Sequence, residues 1–112
     1  MHYDYLKTVG AAVTVADKDN KIVYMNDKSI AVFANEGGSD LIGQDVFECH
    51  NPNSRKIMQE ILEKGKPNAY TIEKKGIKKF IYQAPWYDEN NEAGLLEFSF
   101  EIPLELPHFD RG

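Results

Sequence analysis

Cys49 and His50 are adjacent, and a thiol beside an imidazole is the pairing from which nucleophilic catalysis is commonly built. Neighbouring residues in an extended segment point to opposite sides, and in a helix they diverge by about 100°. The two are therefore not expected to act on each other as a dyad. Cys49 reads instead as a small buried hydrophobe, since redox sensing would need an exposed thiolate of lowered pKa. His50, in the run Cys49-His50-Asn51-Pro52, reads most simply as a structural imidazole bonded to backbone groups that an irregular loop leaves unpaired. The sequence contains no G-x-S-x-G, no P-loop, and no H-E-x-x-H or H-x-H spacing. Glu60 and Glu63, like Glu97 and Glu101, fall on predicted solvent faces, and Tyr82, Trp86, Phe98 and Phe100 read as core or interface aromatics. These residues point to a binding module rather than an enzyme.

The elements that must position them belong to one soluble domain. The chain has 112 residues, 42% hydrophobic and 28% charged, enough for a single core and too apolar for disorder over most of its length. A net charge of −5 disfavours nucleic acid and anionic membranes as partners. The apolar run 11–16 is too short to span a bilayer, and the polar start lacks a signal-peptide apolar region, so a cytoplasmic location is expected. One cysteine excludes an internal disulfide framework or a multi-thiolate metal site.

Along the chain, a 1–10 extension carries Tyr5, Leu6 and Val9 at spacings that fit one face of a short helix. A hairpin follows, with Val13 and Val15 before an Asp17-Lys18-Asp19-Asn20 turn and Ile22-Val23-Tyr24 after it. Asn26 or Asp27 caps a short helix carrying Ile30 and Phe33 inward, which Gly37-Gly38 ends. A second short turn spans 39–42 and Gly43 closes it. The strongest helical pattern, over 54–64, places Ile57, Met58, Ile61 and Leu62 on one face and stops at Gly65 and Pro67. Strands are expected over 69–74, 77–87 and 95–102, with turns at Lys75-Gly76 and 88–94. In the last strand Leu96, Phe98, Phe100 and Ile102 alternate with Glu97, Ser99 and Glu101, and the apolar set is expected to be the buried one. In the strand before it Phe80, Tyr82, Ala84 and Trp86 share one parity, while Ile81 and Pro85 are expected on the outer side.

This order gives an α+β protein whose antiparallel sheet is covered on one face by short helices and one longer helix. The opening A-V-T-V-A-D-K-D-N-K-I-V-Y-M-N (12–26), the L-I-G at 41–43 and the closing G-L-L-E-F-S-F (94–100) resemble a PAS domain over 11–103, leaving 104–112 as a loose tail. The run C-H-N-P-N-S at 49–54 is similar to a C-H-x-P-x-S subgroup of PAS-like domains, often found beside hemerythrin-like or signalling domains. The resemblance implies a PAS-like fold, a five-stranded sheet of order 2-1-5-4-3, and a pocket between sheet and helices that in different relatives holds haem, flavin, small acids or nothing.

Covalent flavin photochemistry is not expected, because relatives that perform it carry a cysteine where this sequence has Val46, three residues after Gly43. Haem is the sharper expectation that the resemblance brings. His50 is the one histidine in the body of the domain and would be the axial ligand to the iron, with Phe47, Ile57, Met58, Ile61, Tyr70, Ile72, Phe80, Tyr82, Leu96 and Phe98 as pocket walls. Well-known haem-binding members of the family often take that histidine from the long helix, which has none here. The last strand ends in E-I-P-L-E-L-P, and Pro103 and Pro107 disfavour a helical output linker, so a signal is expected to leave through a homodimer or a signalling partner. Two roles stand side by side: a sensor holding a small-molecule ligand, and a ligand-free dimerisation or interaction module.

Overall fold

The computed structural model describes residues 3–46 and 52–112. Five antiparallel strands, β1 (Ala12–Asp17), β2 (Ile22–Met25), β3 (Asn68–Lys74), β4 (Ile77–Asp88) and β5 (Asn91–Ile102), form one sheet in the order β2-β1-β5-β4-β3. The first hairpin turns at Asn20, whose φ is 64°, and Asp17 Oδ1 accepts from the amides of Asp19 and Lys21. Helix α1 (Asp27–Val32) leads into 3₁₀ turns at Ala34–Glu36 and Gly38–Leu41, and helix α2 (Pro52–Lys64) precedes β3.

Asn26 fixes the junction between β2 and α1. Its Oδ1 accepts from the amide of Val13 at 2.9 Å and caps α1 through Ser29 N at 3.0 Å, while Nδ2 donates to the carbonyls of Leu6 and Ala11, both at 2.8 Å. The side chain is almost completely buried, so each of these bonds satisfies a group that water does not reach. The 3–10 segment is strapped to this junction: Tyr24 donates to the Asp4 carboxylate and Lys7 pairs with Asp27. Burial, the Asp4 acceptor and the charges of Asp4 and Asp27 push the Tyr24 phenol up to about 12. Residues 5–8 form a turn instead of the expected helix, and Tyr5, Leu6 and Val9 are exposed. Three apolar residues on so short a segment bury too little to hold a helical nucleus in water.

Ala16, Ile22, Met25, Val46, Met58, Ile61 and Leu95 form the core, with Ile30, Phe33, Leu41 and Leu62 packed against it. Met58 and Ile61 come from the buried stripe of α2, which lies on β4 and β5, and each contributes roughly 2 kcal/mol on removal from water. Helix α1 is tied to β1 by a 2.6 Å hydrogen bond between Ser29 Oγ and Thr14 Oγ1.

β5 starts earlier than the sequence pattern indicates. The expected 88–94 turn is a two-residue loop, Glu89-Asn90, with φ of 49° and 72°, so that Asp88 pairs with Asn91. Both φ values are positive, the backbone form that lets a two-residue loop follow the right-handed twist of the strands.

Candidate functional site

Which side of each strand meets the helices follows from register, because directly opposed residues in an antiparallel ladder share a face. One row runs Thr14–Glu97–Gln83–Asn68 and its neighbour runs Ala16–Leu95–Pro85. With Ile22 and Met25 of β2, Phe33, Glu36 and Leu41 of the short helical segments, Val46, and Met58 of α2, residues Thr14, Ala16, Leu95 and Glu97 line a cavity of about 160 Å³. The helix-covered face of the sheet is therefore the one carrying Leu95 and Glu97.

Several sequence expectations are corrected by this register. Phe80, Tyr82, Leu96 and Phe98 alternate with the cavity-lining residues and lie on the opposite face, in rows Phe100–Phe80–Thr71, Val13–Phe98–Tyr82–Ala69 and Val15–Leu96–Ala84. There Phe80 stacks on Phe100 at 5.6 Å and Tyr82 meets Phe98 at 6.5 Å. Ile81 and Pro85, expected outside, belong to the helix-side parity, and Ile81 is buried. The physical reason is the two-residue period of a strand: assigning the more aromatic parity to the core moves every side chain of β4 and β5 to the wrong side.

Ile57, Met58 and Tyr70 do come together, with Ser54, Asn68, Gln83 and Glu97, in a cleft of about 430 Å³ between α2 and strands β3 to β5. Met58 and Glu97 line both spaces. Ile61 is in the core beside them, whereas Ile72 lines a separate depression with Lys74, Lys75, Ile77, Lys79 and Glu101. Phe47 and His50 lie outside the described residues, and with them the axial-ligand expectation. Four of the other nine expected haem walls are on the far face, so the drawn slot is not assembled as a unit.

The missed residues are mostly polar. Gln83 Nε2 donates to Glu97 Oε2 at 2.7 Å, and Gln83 Oε1 accepts from Asn68 Nδ2 at 3.2 Å. Gln83 is only 6% exposed. Desolvation, followed by the charge of Glu97, raises the Tyr70 phenol above its ordinary pKa. Gln83 and Glu97, each at the centre of an apolar strand, were the available signal, since a polar residue there must either face water or serve a site. Among the described residues no cluster of three or more His, Cys, Asp and Glu could hold a metal ion, and no helix is long and apolar enough to cross a membrane.

No family model and no curated protein matches the sequence. Similarity emerges in three dimensions. A PAS domain from Colwellia psychrerythraea shares 24% identity over 88% of this chain and 92% of its own, with a TM-score of 0.63. The PAS domain of the histidine kinase ThkA aligns over 82% of this chain and 99% of its own, at 18% identity and a TM-score of 0.62. The chain adopts the PAS fold. Among further similar structures, the Aer2 receptor of Vibrio cholerae, described as a dual PAS-haem oxygen sensor, is 14% identical over 82% of this chain and 94% of that one, with a TM-score of 0.64. VqmA of Vibrio cholerae, in a complex with ligand and DNA, is 18% identical over 85% of this chain and 47% of that one, with a TM-score of 0.67. The strand order of the sheet is the one the sequence resemblance implies.

Proposed function

We propose that this PAS domain is a sensory module without catalytic activity, which takes a small molecule into the space between its sheet and its helices. The observation that carries the reading is the cavity bounded by Ala16, Ile22, Met25, Leu41, Met58 and Leu95, a gap in a core that close packing would otherwise fill. Its position is suited to sensing, because the walls come from β1, β2, β5, α2 and the short helical segments, so an occupant touches most of the elements at once. Similarity to structures described as a dual PAS-haem oxygen sensor and as a complex with ligand and DNA supports the same role.

The ligand-binding part is tested by native mass spectrometry and absorption spectroscopy of the purified protein, beside a Leu95→Phe variant. The larger ring has the cavity to enter, so the variant is expected to fold and to lose the ligand that the parent carries or binds from a small-molecule panel. A parent that binds nothing, or a folded variant that binds as the parent does, would sink the reading. A Soret band in the parent would identify the ligand as haem and reinstate His50 as the residue to mutate.

The signal is assigned to the opposite face of the sheet, where the rows built on Phe80, Phe98 and Leu96 are uncharged and the Phe80, Tyr82, Leu96, Phe98 and Phe100 side chains are only half-buried. The occupant we assign to that face is a second copy of the chain.

A further inference from the structure

The sensory reading leaves the ligand's chemistry open, and the polar side of the cavity narrows it. Glu97 stands where the inner cavity and the outer cleft meet. Hydrogen bonds run in one direction along this wall, from Asn68 to Gln83 to the Glu97 carboxylate, and Gln83 is buried. Both amides are thus engaged in orienting a negative charge toward an apolar space. Among the described residues no Lys, Arg or His forms an ion pair with Glu97 or with Glu36, the second carboxylate on the cavity wall; Lys7–Asp27 lies elsewhere, on the surface. A carboxylate drawn partly out of water is costly unless further donors reach it.

The size of the apolar part is also bounded. An engineered cavity of about 150 Å³, lined by Leu, Ile and Phe, admits a benzene ring. The inner cavity here is about 160 Å³ and is walled mainly by aliphatic side chains. The cleft beyond Glu97, lined by Ser54, Asn68, Tyr70 and Gln83, is large enough to admit a polar group.

We infer that the ligand is a small organic cation, with one ring or a short aliphatic body in the inner cavity and a protonated nitrogen donating to Glu97. This rests on the sensory reading and adds the ligand class. An anion of the same size would meet two carboxylates, Glu97 at the junction and Glu36 at the exposed rim.

Three probes with one ring and different charge test it: benzylammonium, benzyl alcohol and benzoate, titrated by calorimetry at neutral pH. Benzylammonium is expected to bind at least about tenfold more tightly than benzyl alcohol, the scale of one hydrogen bond to a charged group, and benzoate most weakly. Glu97→Gln keeps an acceptor for Gln83 but removes the charge, so the preference for benzylammonium should vanish while benzyl alcohol binds as before. Thermal unfolding of the variant checks that it is folded. Should it not fold, Glu36→Gln at the exposed rim must lower the preference by roughly threefold, the scale of a partly screened pair.

A neutral or anionic probe that binds best, or a folded Glu97→Gln protein that keeps the preference for the cation, overturns the cation assignment and leaves the cavity reading standing. Failure of all three probes also overturns it. If Leu95→Phe in addition changes nothing in native mass spectrometry, the cavity reading falls with it.

Discussion

At Gly94 the backbone φ is 152°, and a methyl group added there would run into Ala16 O and lie 2.8 Å from the carbonyl carbon of Asp17. The same Ala16 oxygen accepts from Trp86 Nε1 at 2.9 Å, so the indole reaches across the place where Gly94 has no side chain. Absence of a Cβ therefore lets β1, β5 and Trp86 close together beside Leu95, at the edge of the cavity. Gly94→Ala combines a disfavoured φ with a backbone overlap that no rotamer relieves, and should cost about 3 kcal/mol or more. Urea unfolding followed by the fluorescence of Trp86, the one tryptophan, would show a clear fall in midpoint. Gly10→Ala is the control: a Cβ there meets nothing within 4 Å, and its midpoint should stay close to the parent's. Equal midpoints for the two variants would remove Gly94 from this role.

At the scale of elements, hairpins and helices were legible where a local rule decides them. Asn20 marks the first turn, Asn26 caps α1, and Gly65, with φ of 66° and its amide bonded to Ile61 O, ends α2. The β4–β5 loop was not legible, because Glu89 gives no sign in sequence that it adopts positive φ. Nor was the side of β4 and β5 that meets the helices. Local alternation supplies the period of a strand but not its phase, and here the more aromatic phase faces away from the helices while Glu97 and Gln83 face toward them. The site was legible in part for that reason: Ile57 and Met58 follow from helical spacing and Tyr70 from its strand, whereas Glu97 was assigned to solvent. The loop itself yields a prediction. Glu89 occupies a left-handed position where Asn is far better tolerated and a β-branched residue far worse. Glu89→Asn should raise stability by roughly 0.5 kcal/mol and Glu89→Val lower it by more than about 1 kcal/mol, read as opposite shifts of the urea midpoint at unchanged slope. The same sign for both would contradict the turn geometry.

For the whole molecule, the proposed sensor raises the question of how an occupant of the cavity would reach a second copy of the chain on the far side of the sheet. β5 is the common part: Leu95 and Glu97 face the cavity while Leu96, Phe98 and Phe100 face outward, so a shift of this one strand changes both surfaces. The outward rings are already half-buried, and a stable interface takes about 800 Å² from each partner, more than the remaining exposed parts of four aromatic rings supply. The rest must come from neighbouring apolar surface. We assign it to the chain ends, where Leu104, Leu106 and Phe109 follow β5 and Tyr3 and Tyr5 lie in the segment that Asp4 fastens to Tyr24, all of them exposed. A dimer built on this face should therefore depend on both the sheet and the tails. In sedimentation analysis, the parent is expected to dimerise at micromolar concentrations. Phe98→Lys should be monomeric with an unchanged circular dichroism spectrum, and removal of residues 104–112 should weaken association at least tenfold without unfolding the domain. A parent that stays monomeric, or a Phe98→Lys protein that still dimerises, would place the partner surface elsewhere. Cavity ligand should shift the dimer's dissociation constant in the parent but not in Leu95→Phe, since linkage requires that a ligand coupled to association move the two equilibria together.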